Sequence, residues 1–246
     1  MLISVITPTY NSQETIKKTV ISLNKQSSCN FEHIVIDKFS YDETLKIIRS
    51  TSSYPVKIFK RKDKGIYHAM NLGISFAKGD YICFLNSDDW FNKKTIEMYL
   101  NNIKKNPHVE IFYANGLLYK KNGNFLKKIR TNHKLLPCNM SLLHPSVLIK
   151  KKIIKKYMFN LNYKISADYF QLLSMFKDKK IFKYIDKNLS NISLGGYSSN
   201  FFLSSKEFYE IQKFFNSPVI AIINFIKRYH FRIFKYLLLN KKKSYV

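Results

Sequence analysis

Apolar positions fall into short runs separated by polar turns, and these runs alternate with stretches of helical spacing. Leu2 to Thr7 is a β-branched run; Glu32 to Ile36 and Val56 to Phe59 follow, and Tyr81 to Leu85 is a fourth, rich in aromatics. Short, largely apolar runs bounded by turn residues mark buried strands. Between them Ile16, Val20 and Leu23, then Leu45, Ile47 and Ile48, then Ile66, Met70, Ile74 and Ala77 recur at helical spacing. Strand–helix alternation predicts an α/β fold with a mostly parallel central sheet between helical layers, and a ligand crevice at the carboxyl ends of the strands. Pro8 is expected to stop the first ladder, and Asn11 or Ser12 to cap the helix that follows.

The second half is less regular. Thr95 to Lys105 reads as a helix, Val109 to Ala114 as a strand, and Gly116 to Lys128 as a hairpin turning at Asn122-Gly123. Asn132 to Asn139 has no periodicity, and His144-Pro145-Ser146 precedes the apolar Val147 to Ile149. A helix opening near Asp168 carries Phe170, Leu173 and Phe176 on one face, and Leu194 to Ser199 is a Gly-Ser loop. Pro218 to Val246 is apolar, aromatic and basic at once, with Arg228, Arg232 and Lys235 at helical spacing. We therefore expect an α/β domain over 1–205, in halves 1–100 and 101–205, and a basic amphipathic helical region over 206–246.

Composition narrows this picture. The 246 residues are 46% hydrophobic, enough for a real core, and 42 Lys+Arg against 16 Asp+Glu give a net charge of +26. Such a surface attracts nucleic acid, anionic lipid or nucleotide phosphates without choosing among them. Three separated cysteines argue against a disulfide framework or a zinc site and fit a reducing compartment. The N-terminus lacks a basic n-region, so no signal peptide is expected, and no run reaches the ~18 apolar residues of a membrane span.

The candidate chemistry sits at the strand ends. After Tyr81 to Leu85 the chain turns polar at Asn86, Ser87, Asp88 and Asp89. Adjacent carboxylates there suit a hard divalent cation, Mg²⁺ or Mn²⁺, completed by phosphate oxygens; they also suit an ordinary cap for a helix over Lys93 to Lys105. Thr9, Tyr10 and Asn11 end the first strand, where Tyr10 could stack on a flat ring or simply pack a loop. Asp37 ends the second and could bind a nucleotide or make a turn. Lys60 to Lys64, followed by Gly65 and a helix N-terminus, favours phosphate, or is a solvated loop. His144 could be a metal ligand, a substrate contact or a loop histidine. Asp168 could be a helix-terminal carboxylate or a general base. The carboxy-terminal helix reads as a membrane-surface element, or as one packing on its own domain or a dimer partner.

Taken together these motifs resemble a family-2 glycosyltransferase with the GT-A (Rossmann-like) three-layer α/β/α fold, above all bacterial enzymes of lipid-linked polysaccharide and lipopolysaccharide synthesis. The resemblance rests on Thr7 to Asn11; Lys62 to Tyr67 with Ala69, Met70, Asn71 and Gly73; Phe84 to Trp90; and Ala167 to Tyr169 with the later Gly195 to Ser198. It implies a nucleotide-diphosphate sugar donor, UDP-linked by preference, a divalent metal, and a saccharide or lipid-linked acceptor, with no nucleic acid. It implies donor binding by Pro8, Thr9, Tyr10, Asn11, Asp37, Asp63, Lys64, Gly65, Asn71, Asn86, Ser87 and Asp88. Asp89 would hold the metal with Asp88 behind it, and Asp168 would be the catalytic base of an inverting transfer. Trp90, His144, Gly195 and Gly196 would serve the acceptor or a covering loop. The enzyme is expected in the cytoplasm, peripheral at the inner membrane face, with a homodimer left open.

The sequence departs from this family at Lys38-Phe39, where two glycines are usual, at His68, at Leu72 and at Pro145, which bears on donor choice. Two rivals are a basic nucleic-acid-binding protein, which the acidic strand ends oppose, and a sugar nucleotidyltransferase, which the lack of a Gly-rich loop after the first strand opposes.

Overall fold

The computed structural model describes residues 1–195 and 200–241, with side chains described to Tyr229 in the last helix. The first half alternates as expected. Strands β1 (Ile3–Thr9), β2 (Phe31–Asp37), β3 (Val56–Lys60) and β4 (Tyr81–Phe84) are separated by helices α1 (Ile16–Asn24), α2 (Thr44–Thr51) and α3 (Ile66–Phe76). Then come β5 (Trp90–Phe91), α4 (Thr95–Lys105), β6 (Ile111–Tyr119), β7 (Phe125–Ile129), β8 (Val147–Lys150), α5 (Lys151–Ile154), α6 (Ala167–Lys177), β9 (Phe182–Ser193), α7 (Phe201–Phe215) and α8 (Pro218–Lys241).

One sheet runs β3-β2-β1-β4-β8-β6-β9-β5, with β7 paired to β6. β1 is flanked by parallel β2 and β4, whereas β8 lies antiparallel between β4 and β6. Every residue of β1 is buried, as a central strand covered on both faces requires. Pro8 does not end this strand. Leu85 N donates to Ile6 O and Lys38 N to Thr9 O, so alternate residues face β4 and β2. Pro8 falls on the β4 side, beyond the last β1–β4 pair at Ile6 and Phe84, and its missing donor costs no ladder bond.

Two apolar layers sandwich the sheet. Ile6, Ile36, Phe84 and Ile149 pack against Met70, Leu172 and Phe208 on one face; Val5, Cys83, Phe112 and Leu148 pack against Leu23, Ile96 and Tyr99 on the other. Each large side chain fully buried in this way contributes roughly 1.5–3 kcal/mol. The resulting α/β/α layering brings the carboxyl ends of β1 and β4 side by side.

Several expectations are corrected. The segment from Val109 to Lys128 is not a strand plus a separate hairpin, because β6 runs unbroken to Tyr119 before turning through Gly123 (φ +84°) into β7. β9 was not expected at all. Asn11 and Ser12 do not cap α1, which starts at Ile16 after Thr15 with no side-chain cap. Nor do Asn86 to Asp89 cap a helix, since β5 intervenes and α4 begins at Thr95. α7 crosses the expected 205/206 division, and its Phe208 and Ile211 belong to the main core.

α8 docks through Ala221 and Asn224, both buried. Asn224 Nδ2 donates to Gln212 Oε1 at 2.7 Å and Pro137 O at 3.3 Å. Val219, Ile220, Ile222, Ile223 and Ile226 stay exposed. No helix among the described residues is long and apolar enough to cross a membrane. The side chains of Arg232 and Lys235, counted toward the basic face, lie outside the described residues, as does Gly196.

Candidate functional site

The carboxyl ends of β1 and β4 open into a cleft of about 1090 Å³. Pro8 of β1 and Asn11 and Ser12 of the loop after it line the cleft, Asn86, Ser87, Asp88 and Asp89 form its floor at the end of β4, and His144, Ser166, Asp168 and Tyr169 join them from the second half of the chain. Lys121, Met140, Leu194, Gly195, Ser204 and Arg228 also line it. The loops after β1 and β4 are held together by a 2.9 Å hydrogen bond between the Ser12 and Ser87 hydroxyls.

The two adjacent carboxylates differ. Asp89 is buried, its Oδ2 accepting from Asn86 Nδ2 at 3.0 Å and its Oδ1 from Ser193 N at 3.2 Å. Thr19 Oγ1 donates to its carbonyl at 2.8 Å. Asp88 is half-buried on the cleft. Both line the cleft, Asp88 the more exposed of the two and Asp89 tying the floor to the end of β9. Burial raises the proton affinity of both, and Asp88's charge raises that of Asp89 further. Two mutually repelling carboxylates at a cleft floor fit a divalent cation. Among the described residues no third His, Cys, Asp or Glu joins them in a metal-binding group, so donor phosphates and water would complete the shell. His144 does not group with them among the described residues. It stacks on Phe84 at 5.0 Å and meets Phe159 edge-on at 5.6 Å. Burial lowers its pKa, opposed by the charge of Asp168. Its Nε2 and the Oδ1 of Asn86 are buried with no protein partner, and both residues line the cleft. Orphaned buried polar atoms of this kind mark positions where a ligand can complete the bonding.

Asp168 stands in the first turn of α6, its Oδ1 accepting from Tyr169 N at 2.8 Å. The Tyr67 hydroxyl lies 3.1 Å from the same oxygen and 2.5 Å from Ile165 O. Burial, then Asp168's charge, push the Tyr67 phenol well above its ordinary pKa, so it stays a donor. The segment before α6 hangs on Glu207 of α7, whose carboxylate accepts from the backbone N–H groups of Lys164, Ile165 and Ser166. Tyr67 lies inside a motif the sequence singled out, whereas Glu207 had no signal beyond being an acid in a basic chain.

Other expected site residues do not line this cleft, though Lys64 and Gly65 line a smaller pocket that shares Ile66, Tyr67 and Lys164 with it. Asn71 is consumed by Phe159, donating to its carbonyl and accepting from its N–H, both at 2.9 Å. Asp37 is fully buried and accepts from Ser40 N and Oγ at 3.0 and 2.6 Å. Thr9 is buried. Asp63 Oδ1 takes the Gly65 N–H at 2.8 Å, and Lys64 N donates to His68 Nδ1 at 3.2 Å, so those two amides are not a phosphate cradle. Trp90 lies under Lys18 Nζ, 3.1 Å from its ring centroid. Tyr10 is half-exposed beside Tyr41, 6.4 Å away edge-on, with Lys38 Nζ 5.7 Å over its ring. Lys38 also pairs with Asp63 at 3.6 Å. Phe39, where the resemblance expects glycine, has φ +55°, a left-handed backbone costly for a bulky residue.

A family model described as Glycosyl transferase family 2 matches residues 4–209. The chain is 30% identical over 223 residues to the UDP-Glc:alpha-D-GlcNAc-diphosphoundecaprenol beta-1,3-glucosyltransferase WfgD of Escherichia coli, covering 86% of this chain and 83% of that protein. It is 28% identical over 244 residues to an uncharacterized glycosyltransferase of Haemophilus influenzae, covering 96% and 95%. Among solved structures, Staphylococcus aureus TarS residues 1–349 in complex with UDP-GlcNAc superposes with a TM-score of 0.70 at 24% identity, covering 91% of this chain and 67% of that one. The mannosyltransferase PcManGT of Pyrobaculum calidifontis, in complex with GDP-Man and Mn²⁺, does so at 0.63 and 14%, covering 85% and 62%. The fold is the GT-A fold of these enzymes.

Proposed function

The chain belongs to glycosyl transferase family 2 and is a glycosyltransferase, and on that premise we propose that it moves a sugar from a UDP-sugar to a hydroxyl of a saccharide carried on a lipid diphosphate, with inversion. The observation that carries this reading is that Asp88, from the segment between β4 and β5, and Asp168, from α6, line one cleft. A donor diphosphate at Asp88 and an acceptor hydroxyl at Asp168 would then meet across it. The relative in Escherichia coli, named for a UDP-glucose donor and a diphosphoundecaprenol-linked acceptor, supports the choice of both substrates.

Asp168 accepts the proton of the acceptor hydroxyl. The freed oxygen attacks the anomeric carbon from the face opposite the diphosphate; the glycosidic bond forms, the carbon–phosphate-oxygen bond breaks, and UDP leaves. Asp88, backed by Asp89, would hold a divalent ion, which supplies charge neutralisation on the departing diphosphate. The Asn86 amide and the His144 imidazole hydrogen-bond the bound substrates. The β1–α1 loop and Tyr10 flank the nucleotide. The exposed apolar face of α8 rests on the inner surface of the membrane that holds the lipid acceptor.

The test is to incubate the purified protein with UDP-, GDP- and dTDP-sugars, Mn²⁺ or Mg²⁺, and a GlcNAc-diphospho-lipid. Acceptor-dependent UDP release with an inverted linkage in the product, lost in Asp168→Asn, is expected. Transfer from a GDP- or dTDP-sugar alone would overturn the donor assignment, and pyrophosphate release would overturn the reaction.

A further inference from the structure

The expected placement of Arg228 on a lipid-facing basic surface is not what the fold delivers. Its guanidinium lies 4.2 Å over the Phe208 ring, its Nη1 donates to Asn139 Oδ1 at 3.1 Å, and the residue lines the cleft. Lys164, an exposed residue whose N–H bonds Glu207 beside Phe208, and Ser204 of α7 line the same cleft. Cations here are puzzling if the acceptor is a neutral sugar. They stand with α6–α8, whereas the donor diphosphate belongs with Asp88 at the ends of β1 and β4.

We propose that Arg228 and Lys164 form a seat for the diphosphate of the acceptor, so that this end of the cleft reads a lipid diphosphate and not merely the sugar it carries. The inference rests on the glycosyl-transfer reading above and deepens it. A guanidinium matches phosphate oxygens with a planar fork, and its contacts with Phe208 and Asn139 hold it in place before substrate arrives. The helix supplies the second half of the argument. Ile222 and Ile226 are exposed, and at 100° per residue Arg228 projects about 200° round the axis from Ile226. One turn of α8 thus offers an apolar face outward and a phosphate ligand inward, separated by roughly the 10 Å diameter of a helix. That is the relation between lipid tails and the headgroup phosphates of a lipid lying beside it. The seat orients the acceptor and takes no part in bond making, so its residues are positioning residues.

Two measurements test this. The first compares KM for a GlcNAc-diphospho-lipid of short chain with KM for a GlcNAc alkyl glycoside of equal chain length. Wild type should favour the diphosphate at least tenfold. Arg228→Ala and Lys164→Ala should bring the ratio toward one, and Arg228→Lys should restore part of it. The second needs no transfer: binding of farnesyl diphosphate in EDTA, where the Asp88 site has no cation with which to hold a diphosphate. It should weaken at least tenfold in Arg228→Ala, with the melting transition intact; the exposed Lys164 serves as the variant with least risk to folding. Unaltered farnesyl diphosphate binding in both variants, or equal KM changes on both acceptors, overturns the seat. Absence of transfer to either acceptor with wild-type protein, alongside Arg228-dependent farnesyl diphosphate binding, overturns the transfer reading and leaves the seat standing.

Discussion

The Tyr67 hydroxyl sits between two acceptors, 2.5 Å from Ile165 O and 3.1 Å from Asp168 Oδ1. It has one proton. At rest the shorter contact holds it, and the second contact helps to orient the Asp168 carboxylate. Tyr67→Phe should therefore lower kcat more than it raises KM. Folding should lose only about 1 kcal/mol, the typical worth of one hydrogen bond. Initial-rate kinetics with a urea titration check both. An unchanged kcat would show that Tyr67 serves the backbone alone.

Glu207 holds the chain that presents Asp168. Three consecutive backbone N–H groups bond to one buried carboxylate, at 2.7, 3.0 and 2.8 Å. Glu207→Gln keeps one acceptor oxygen but turns an NH₂ toward those donors. Leaving buried donors unpaired costs about 1–3 kcal/mol each, so the variant should lose roughly 2–4 kcal/mol, read as a lower urea midpoint at unchanged m. With Asp168 two residues beyond Ser166, kcat should fall more than KM rises.

Asp88 and Asp89 make stability depend on pH in a defined direction. Their folded-state pKa values are raised, chiefly by burial, so the native protein holds protons that the unfolded chain has released. Their contribution to the stability of the metal-free protein is then fully present below the ordinary carboxylate pKa of about 4 and is lost as pH rises through the raised values. Asp88→Asn removes one charge and relieves the other. Its metal-free form should melt higher than wild type at pH 8, the gap closing toward pH 4. Mn²⁺ at a hundred times its dissociation constant should add about 2.7 kcal/mol to wild type and far less to the variant, whose transferase activity should fall on the order of a hundredfold or more. Scanning calorimetry across pH, with and without Mn²⁺, reads all of this.

The first half of the chain was readable because its strands are buried on both faces and its helices keep their spacing. β1, β2 and β4 and the polar residues at their ends followed from pattern alone. β9 did not. Lys183, Asp186, Lys187 and Asn188 interrupt its apolar positions, and register shifts around Asn115 break the period against β6. Asn71 and Asp37 looked like ligand contacts because their types and places fit. In the fold, Phe159 and Ser40 already use their hydrogen-bonding groups. Arg228 was read by helical spacing as a surface cation, but spacing gives an angle about the helix and not what lies opposite. The altered Lys38-Phe39 turn is accommodated through the Lys38–Asp63 pair and a left-handed Phe39.

The exposed face of α8 yields the last prediction. Ile222, Ile223 and Ile226 lie on one side of the helix, opposite the buried Ala221 and Asn224. An apolar stripe on a basic chain suits an anionic bilayer, since each buried CH₂ contributes about 0.8 kcal/mol and a nearby cation about 1 kcal/mol. Ile222→Glu with Ile226→Glu removes apolar area and adds two negative charges next to the lipid, without touching the residues that dock α8 on the core. Co-sedimentation with phosphatidylglycerol vesicles should weaken at least on the order of tenfold, and wild-type binding should fall as salt rises. Transfer to a water-soluble short-chain acceptor should persist in the double variant while transfer to a vesicle-embedded acceptor collapses. Equal loss with both acceptors would instead mean that the face is needed for folding or self-association, which the melting temperature and the sedimentation coefficient would separate.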